Sequence, residues 1–385
     1  MVKQLLALLG VLLLIPSFAQ IRVVHVEDDA AQSTAPGVYY ALPKTFLKFD
    51  VTVVKTEVVP GPYHEFAEEM LGLEDVPYSG SEEYAIRDVA LEDFARPDPE
   101  QFYFVEYGEK ALKEEKQLML SLSEAGMITG FNTTGETPAS QNVMFPHDLD
   151  GEPEYKYFQY VAESNLYEKV DTMVRKITID TLTIEKEFYK TSWAQKADRQ
   201  KARDAVDFLE RIRENRFLLI SGYQEVNYGE SIKYMDEQLQ RLEKEYLSLF
   251  TGVTITTVYR HSYIFVPDKE ETSVVLFRFS SSRGVIPAGQ SGGENVSVEI
   301  IPTGSSEKIS AFVQSKNKHN PLGNSIYYRI PEFADLELVY RGESLFKSNL
   351  QISQLGLVTY APVYEPGIEF YPETGGVKKI DIEVK

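Results

Sequence analysis

Cysteine is absent from all 385 residues, so no disulfide staples this fold and no lipobox cysteine is available for a lipid anchor. Stability has to come from buried apolar cores. Long hydrophobic runs are also missing beyond the first residues: Leu5 to Leu14 is the longest, too short to span a bilayer, and no second one follows. Positive charge is scarce, with 39 Lys and Arg against 59 Asp and Glu and a formal net charge of −20. Nucleic-acid binding normally leaves a basic footprint. Here the densest basic stretch, Lys196 to Arg216, is interleaved with Asp198, Asp204, Asp207, Glu210 and Glu214 and reads as a solvated helix face. The chain also lacks any Gly-rich strand-to-helix turn of the Walker or Rossmann kind.

What is present begins with a secretory pattern: Lys3, the apolar run, and the small-x-small triplet Ser17-Phe18-Ala19 before Gln20. Residues 1–19 are therefore expected to be a cleaved signal peptide, leaving an exported mature chain without a transmembrane span. The expected location is the periplasm or the outer-membrane surface, because a secreted eukaryotic β protein of this size usually carries disulfides.

The remainder is predominantly β. Gly37 to Val59 alternates and is rich in Val, Thr, Tyr and Phe, which predicts a long strand with one buried face. Tyr63 to Leu73 predicts a short helix with Phe66, Met70 and Leu73 on one side and Gly72 near its end. Strands are expected at 84–91, 101–107, 117–122, 127–131, 253–266, 273–280, 296–301, 326–330, 334–340, 350–354 and 356–360. Arg283 to Glu294 and Thr133 to Tyr155 read as loops, and Glu373-Thr374-Gly375-Gly376 as a closing turn.

Two amphipathic helices interrupt this pattern. Ala202, Ala205, Val206, Leu209 and Ile212 form one stripe, with Ser192 and Gln195 as a candidate capping box. Ile232, Met235, Leu239, Leu242, Tyr246 and Leu249 form the other, with Asn227 and Glu230 at its start and Gly252 at its end. The expected class is α+β, with two antiparallel β-rich modules, 20–190 and 253–385, flanking an antiparallel helical hairpin at 191–252 that packs on itself. An internal echo links Val38-Tyr39-Tyr40-Ala41-Leu42-Pro43 to Ile326-Tyr327-Tyr328-Arg329-Ile330-Pro331, and Gly126-Met127-Ile128-Thr129 to Gly356-Leu357-Val358-Thr359.

No segment amounts to a catalytic signature. Gly289-Gln290-Ser291-Gly292-Gly293 looks like the nucleophile loop of chymotrypsin-like proteases, but Gln290 stands where they have Asp and no His has their context. His64-Glu65-Phe66-Ala67-Glu68 begins like a zincin helix and fails at Glu68, where the second His is needed. His25, His64, His147, His261 and His319 show no ligand spacing. The best metal candidate is Asp148, Asp150 and Glu152, with Glu154 beyond. These are hard oxygen ligands around Gly151, suited to calcium although short of an EF-hand loop; no other cofactor is expected. The aromatic groups Phe102-Tyr103-Phe104 with Tyr107, and 155–160, suit sheet packing or contact with a glycan or protein.

The chain resembles a family of exported Bacteroidota proteins catalogued as a domain of unknown function. The likeness rests on Gly37 to Thr45, Gly61-Pro62-Tyr63 running into Leu71-Gly72-Leu73, Arg216 to Gly222, Leu242 to Gly252, and Tyr327 to Pro331. It implies an envelope location and one architecture, and carries no catalytic residues over. It also implies O-glycosylation at Asp-Thr-aliphatic tripeptides, here Asp171-Thr172-Met173 and Asp180-Thr181-Leu182. Two functional expectations follow. The first is a non-enzymatic scaffold or accessory subunit with a protein partner in the envelope. The second is a hydrolase or binding protein acting on glycan or peptide in a cleft between the β modules.

Overall fold

The computed structural model describes residues 21–26, 36–107, 119–133, 166–179, 182–221, 229, 231–318, 325–362 and 367–381. The protein is mostly β with antiparallel sheets. The chain runs through β1 (Ile21–His25), β2 (Gly37–Val59), a 3₁₀ turn (His64–Phe66), α1 (Ala67–Leu71) and β3 (Ser81–Tyr107). It continues with β4 (Leu120–Leu122), β5 (Ile128–Phe131), β6 (Leu166–Ile179), β7 (Leu182–Gln195), α2 (Asp198–Ser221) and α3 (Ser231–Thr251). Then come β8 (Val253–Phe265), β9 (Ser273–Ser280), β10 (Gly284–Pro287), β11 (Glu294–Pro302) and α4 (Glu307–Lys318). The last elements are β12 (Ser325–Tyr340), β13 (Glu343–Pro362), β14 (Ile368–Phe370) and β15 (Val377–Ile380). The sheet orders are β1-β3-β2-β8, β10-β9-β11-β12-β13, β15-β14-β5-β4 and β6-β7.

Two compact units arise, each discontinuous in sequence. The first takes 1–53, 86–148 and 260–385; the second takes 54–85 and 149–259.

In the first unit, Leu47, Phe49, Val51 and Val53 of β2 are buried at alternate positions, as a half-covered strand requires. The strand is not one-faced, however. Lys48 is also buried, because Asp50 and Glu92 close over its ammonium at 2.9 and 3.3 Å. Another core gathers Tyr40, Leu42, Tyr103, Val105, Ile128, Phe131, Ile326 and Phe370. The echoed motifs meet in it, in unlike settings. The Tyr327 amide donates to the Tyr40 hydroxyl at 2.9 Å; Ala41 bridges Met127 in parallel, whereas Ile330 pairs Leu357 in an antiparallel ladder.

Three expected breaks are continuous strand. β3 runs through Pro97 and Pro99, and β12 and β13 each carry two of the expected strands across irregularities in their register. Gly356 lies so near β12 that a Cβ there would sit 1.9 Å from the Ile330 carbonyl oxygen. The expected loop from Arg283 contains the short strand β10, paired to β9.

In the second unit, α2 buries Ala202, Ala205, Val206, Leu209 and Ile212, the stripe expected from periodicity. The capping box is not formed. Ser192 and Gln195 lie in β7, paired to Lys169 and Leu166, and α2 starts at Asp198, where the Gln200 and Lys201 amides donate to the Ala197 carbonyl. The 14-residue ladder has claimed those side chains' backbone before a helix can begin. α3 ends at Gly252, whose φ of 73° suits glycine and whose amide donates to Ser248 O at 2.8 Å. Leu249 and Phe250 join Ala202, Ala205 and Leu209 with Tyr63, Ala67 and Val76 in one core. The paired helices therefore pack on the 63–76 segment as well as on each other.

Candidate functional site: the outer end of the paired helices

Several expected site residues lie outside the described residues: Asp148, Asp150, Glu152 and Glu154, Thr181, His147, His319 and the aromatics of 155–160. Among the described residues no group of three His, Asp or Glu is placed to hold a metal ion. Thr172 is exposed on β6, opposite Tyr189.

The remaining candidates are structural in their surroundings. His25 Nε2 lies 2.8 Å from Glu100 O, and His64 Nδ1 lies 2.7 Å from Gly61 O. Ser291 is exposed in the turn after β10, where the Gln290 amide donates to Pro287 O and Gly293 takes φ of 66°. A Cβ at Gly293 would meet the Phe279 carbonyl oxygen at 2.6 Å, so this glycine serves the close approach of two backbones. Tyr103 and Phe104 are buried, Tyr103 stacking on Tyr327 at 4.6 Å and on Tyr40 at 5.3 Å between centroids. Burial raises the Tyr103 and Tyr40 phenols well above the usual range.

Three polar networks of the first unit were not anticipated. Asp98, between Pro97 and Pro99, is buried against the Arg329 guanidinium, with Lys44 3.9 Å away. Burial draws Arg329 below the ordinary guanidinium range, against the pull of Asp98. At Lys48, desolvation would lower the pKa, but the bonds to Asp50 and Glu92 outweigh it and raise it; Ser262 donates its hydroxyl to the other oxygen of Asp50. Glu332, at the β12 bulge, accepts from the amides of Ser305 and Ser306 at 2.8 and 2.7 Å and from the hydroxyls of Thr303, Ser305 and Ser306. General base catalysis needs a carboxylate or amine with free acceptor capacity and a pKa tuned toward neutrality. Here the Lys48 ammonium is locked in its charged form and Glu332 is saturated by donors, so both networks hold strands and a helix end in place.

The side chains left over for recognition sit where α2 ends and α3 begins. The helices are antiparallel: Phe208 packs on Tyr246 at 4.4 Å between centroids, Arg213 Nε donates to Glu243 at 2.7 Å, and Arg216 bridges Asp236 and Glu243 at 2.9 and 2.8 Å. The bonds to Asp236 and Glu243 raise Arg216 above its usual value, and Arg213 first, then Arg216, lower Glu243. Beyond this clamp Phe217 and Ile220 are 66% and 65% exposed, Tyr234 65% and Ile232 37%. Phe217 and Ile220 are three residues apart and continue the apolar stripe by spacing, eleven positions past Val206 and Leu209 respectively, yet both are exposed.

Arg216→Ala is expected to cost about 1 kcal/mol, since the clamp is partly exposed and screened. The loss should shrink in high salt in a urea titration; a salt-independent loss would point to packing by the arginine stem instead.

Antiparallel sheets, a short internal helix and a paired-helix element thus define a mostly β, mixed-class protein. The domain family described as a domain of unknown function, DUF4831, matches residues 36–377, and the chain belongs to that family. No curated protein and no solved structure matches it.

Proposed function

We propose that this chain is a non-enzymatic scaffold or accessory subunit of a bacterial cell envelope, exported by residues 1–19, that engages a protein partner through the outer end of α2 and α3. The observation that carries the reading is the cluster of Phe217, Ile220, Ile232 and Tyr234, large apolar side chains exposed beyond a salt-bridged clamp. Scattered exposed apolar residues need no explanation. A group at one end of a rigid helix pair marks a surface that another molecule covers. Aromatic and aliphatic anchors of this kind supply most of the energy of protein interfaces. The Bacteroidota envelope, indicated by the resemblance and by the N-terminal pattern, is the setting in which such a partner is sought.

A photo-crosslinking residue placed at Phe217 in living cells should yield one discrete adduct in the envelope fraction. The same residue at Asp207, which is exposed and ten positions earlier, roughly 15 Å along the helix, should not. Equal labelling from both positions, or no adduct from Phe217, removes the proposed surface. N-terminal sequencing of the cell-derived protein should begin near Gln20; an intact Met1 removes the export step.

A further inference from the structure

We infer that the outer edge of β13 over residues 356–360 is a strand-pairing site held closed by α4 and Lys269, and that opening it lets a second copy of this chain add there. This does not rest on the helix-end reading. Among the described residues β13 is the last strand of its five-stranded sheet, with β12 on one side. What β12 does on its far side fixes the parity of their ladder. The Tyr327 amide donates to the Tyr40 hydroxyl at 2.9 Å and the Arg329 amide to Gly375 O at 3.1 Å, so both point away from β13. Tyr327 pairs with Tyr360 and Arg329 with Val358. These are therefore the non-hydrogen-bonded pairs of the ladder, and the backbone N–H and C=O groups of Val358 and Tyr360 face outward, away from β12.

Side chains stand at that edge where a strand would. Lys269 Nζ donates to Gly356 O at 2.9 Å, Asn317 Nδ2 to Val358 O at 3.0 Å and Lys316 Nζ to Tyr360 O at 2.8 Å. These alternate carbonyls are the acceptors that the amides of an added strand would take. Lys316 and Asn317 belong to the last turn of α4, and the contact is reinforced there: the Tyr360 hydroxyl donates to Lys316 O at 3.2 Å, and the Lys316 ammonium lies 4.6 Å from the Tyr360 ring centroid. Lysines and a covering helix are ways in which proteins blunt a sheet edge. The strand beneath shows the need for it, since Leu355 to Ala361 is uncharged, free of proline and rich in β-formers, the composition that recruits further strands. α4 is a light cover. It is 12 residues long, buries only Val313 and leaves Phe312 72% exposed, and so short a helix depends on its ties at either end. The choice of occupant follows from self-complementarity. A two-fold contact pairs residue i with j and j with i. Centred on Val358, it sets Val358 opposite Val358 and Gly356 opposite Tyr360, positions whose carbonyls all face outward and whose opposed residues share a face of the joined sheet. The paired stretch carries no charge, so the copies meet there without like charges facing.

Lys269→Ala, Lys316→Ala and Asn317→Ala, combined in the full chain, remove all of these side-chain donors. By light scattering the combined variant should show a concentration-dependent mass at least twice that of the wild type. Adding Val358→Pro should return it to the wild-type mass, because proline deletes the outward N–H at the centre of the contact and costs no bond to β12. A combined variant that keeps the wild-type mass would overturn the inference. So would association that survives Val358→Pro, which would trace it to unfolding rather than to this edge.

Discussion

Asp98→Ala should destabilise the first unit by about 3–5 kcal/mol, the cost of leaving a buried charge without its partner. Asp98 and Arg329 side chains are 3% and 5% exposed, so water cannot replace the lost carboxylate. Lys44, 3.9 Å from Asp98, is a second cation and only worsens the imbalance. The Arg329 Nε is already buried without a hydrogen-bond partner, which leaves the guanidinium no reserve. Replacing both ends, as in Asp98→Leu with Arg329→Met, should recover most of the loss, because the desolvation cost disappears with the attraction. Near-ultraviolet circular dichroism during urea unfolding follows Tyr40, Tyr103 and Tyr327, the packed rings of the neighbouring core. If the single substitution leaves the midpoint unmoved, the pair is not a structural clamp; if the double variant is as weak as the single, the loss comes from packing.

This pair also illustrates what sequence patterns conceal. Strands were expected at 84–91 and 101–107 with Pro97 and Pro99 between them, yet β3 continues through both prolines. β1 pairs with β3 only from Tyr103 to Tyr107, so around the prolines the described sheet has an open edge, where a missing N–H removes no ladder bond. The β6-β7 ribbon was hidden for a different reason. Its charged residues blur the apolar alternation, and Ser192 with Gln195 imitates a helix start. β2 and the stripe of α2 were legible because their periods of two and 3.6 residues persist over many turns or pleats, whereas of the stripe expected in α3 only Leu249 is buried and Ile232 is exposed. α4 escaped notice because its capping group is not local. The carboxylate at its N-terminus belongs to Glu332, on a strand that follows the helix. Of the helix-end surface, the buried stripe could be read directly. The exposure of Phe217 and Ile220 depends on where α3 lies, and no spacing within α2 states that.

Glu332→Gln should weaken the protein at neutral pH and flatten its acid unfolding limb. The carboxylate is 2% exposed; burial alone would raise its pKa, but the hydroxyl and amide of Ser306, then those of Ser305, lower it from 4.5 to about 2. A carboxyl whose folded value lies below its unfolded one contributes stability that is complete above the unfolded value and lost as pH falls through the folded one. The window therefore runs from about pH 4.5 down to about pH 2, and the gap corresponds to about 3 kcal/mol. Glutamine keeps the shape but turns an NH₂ group toward donors that need acceptors, leaving buried amides at the start of α4 unsatisfied. Subtracting the variant's stability curve from the wild type's isolates this residue from the other acidic groups. The difference should be largest above pH 5 and vanish toward pH 2. A difference that stays constant across that window would mean that Glu332 acts through packing, and that the α4 terminus draws nothing from its charge.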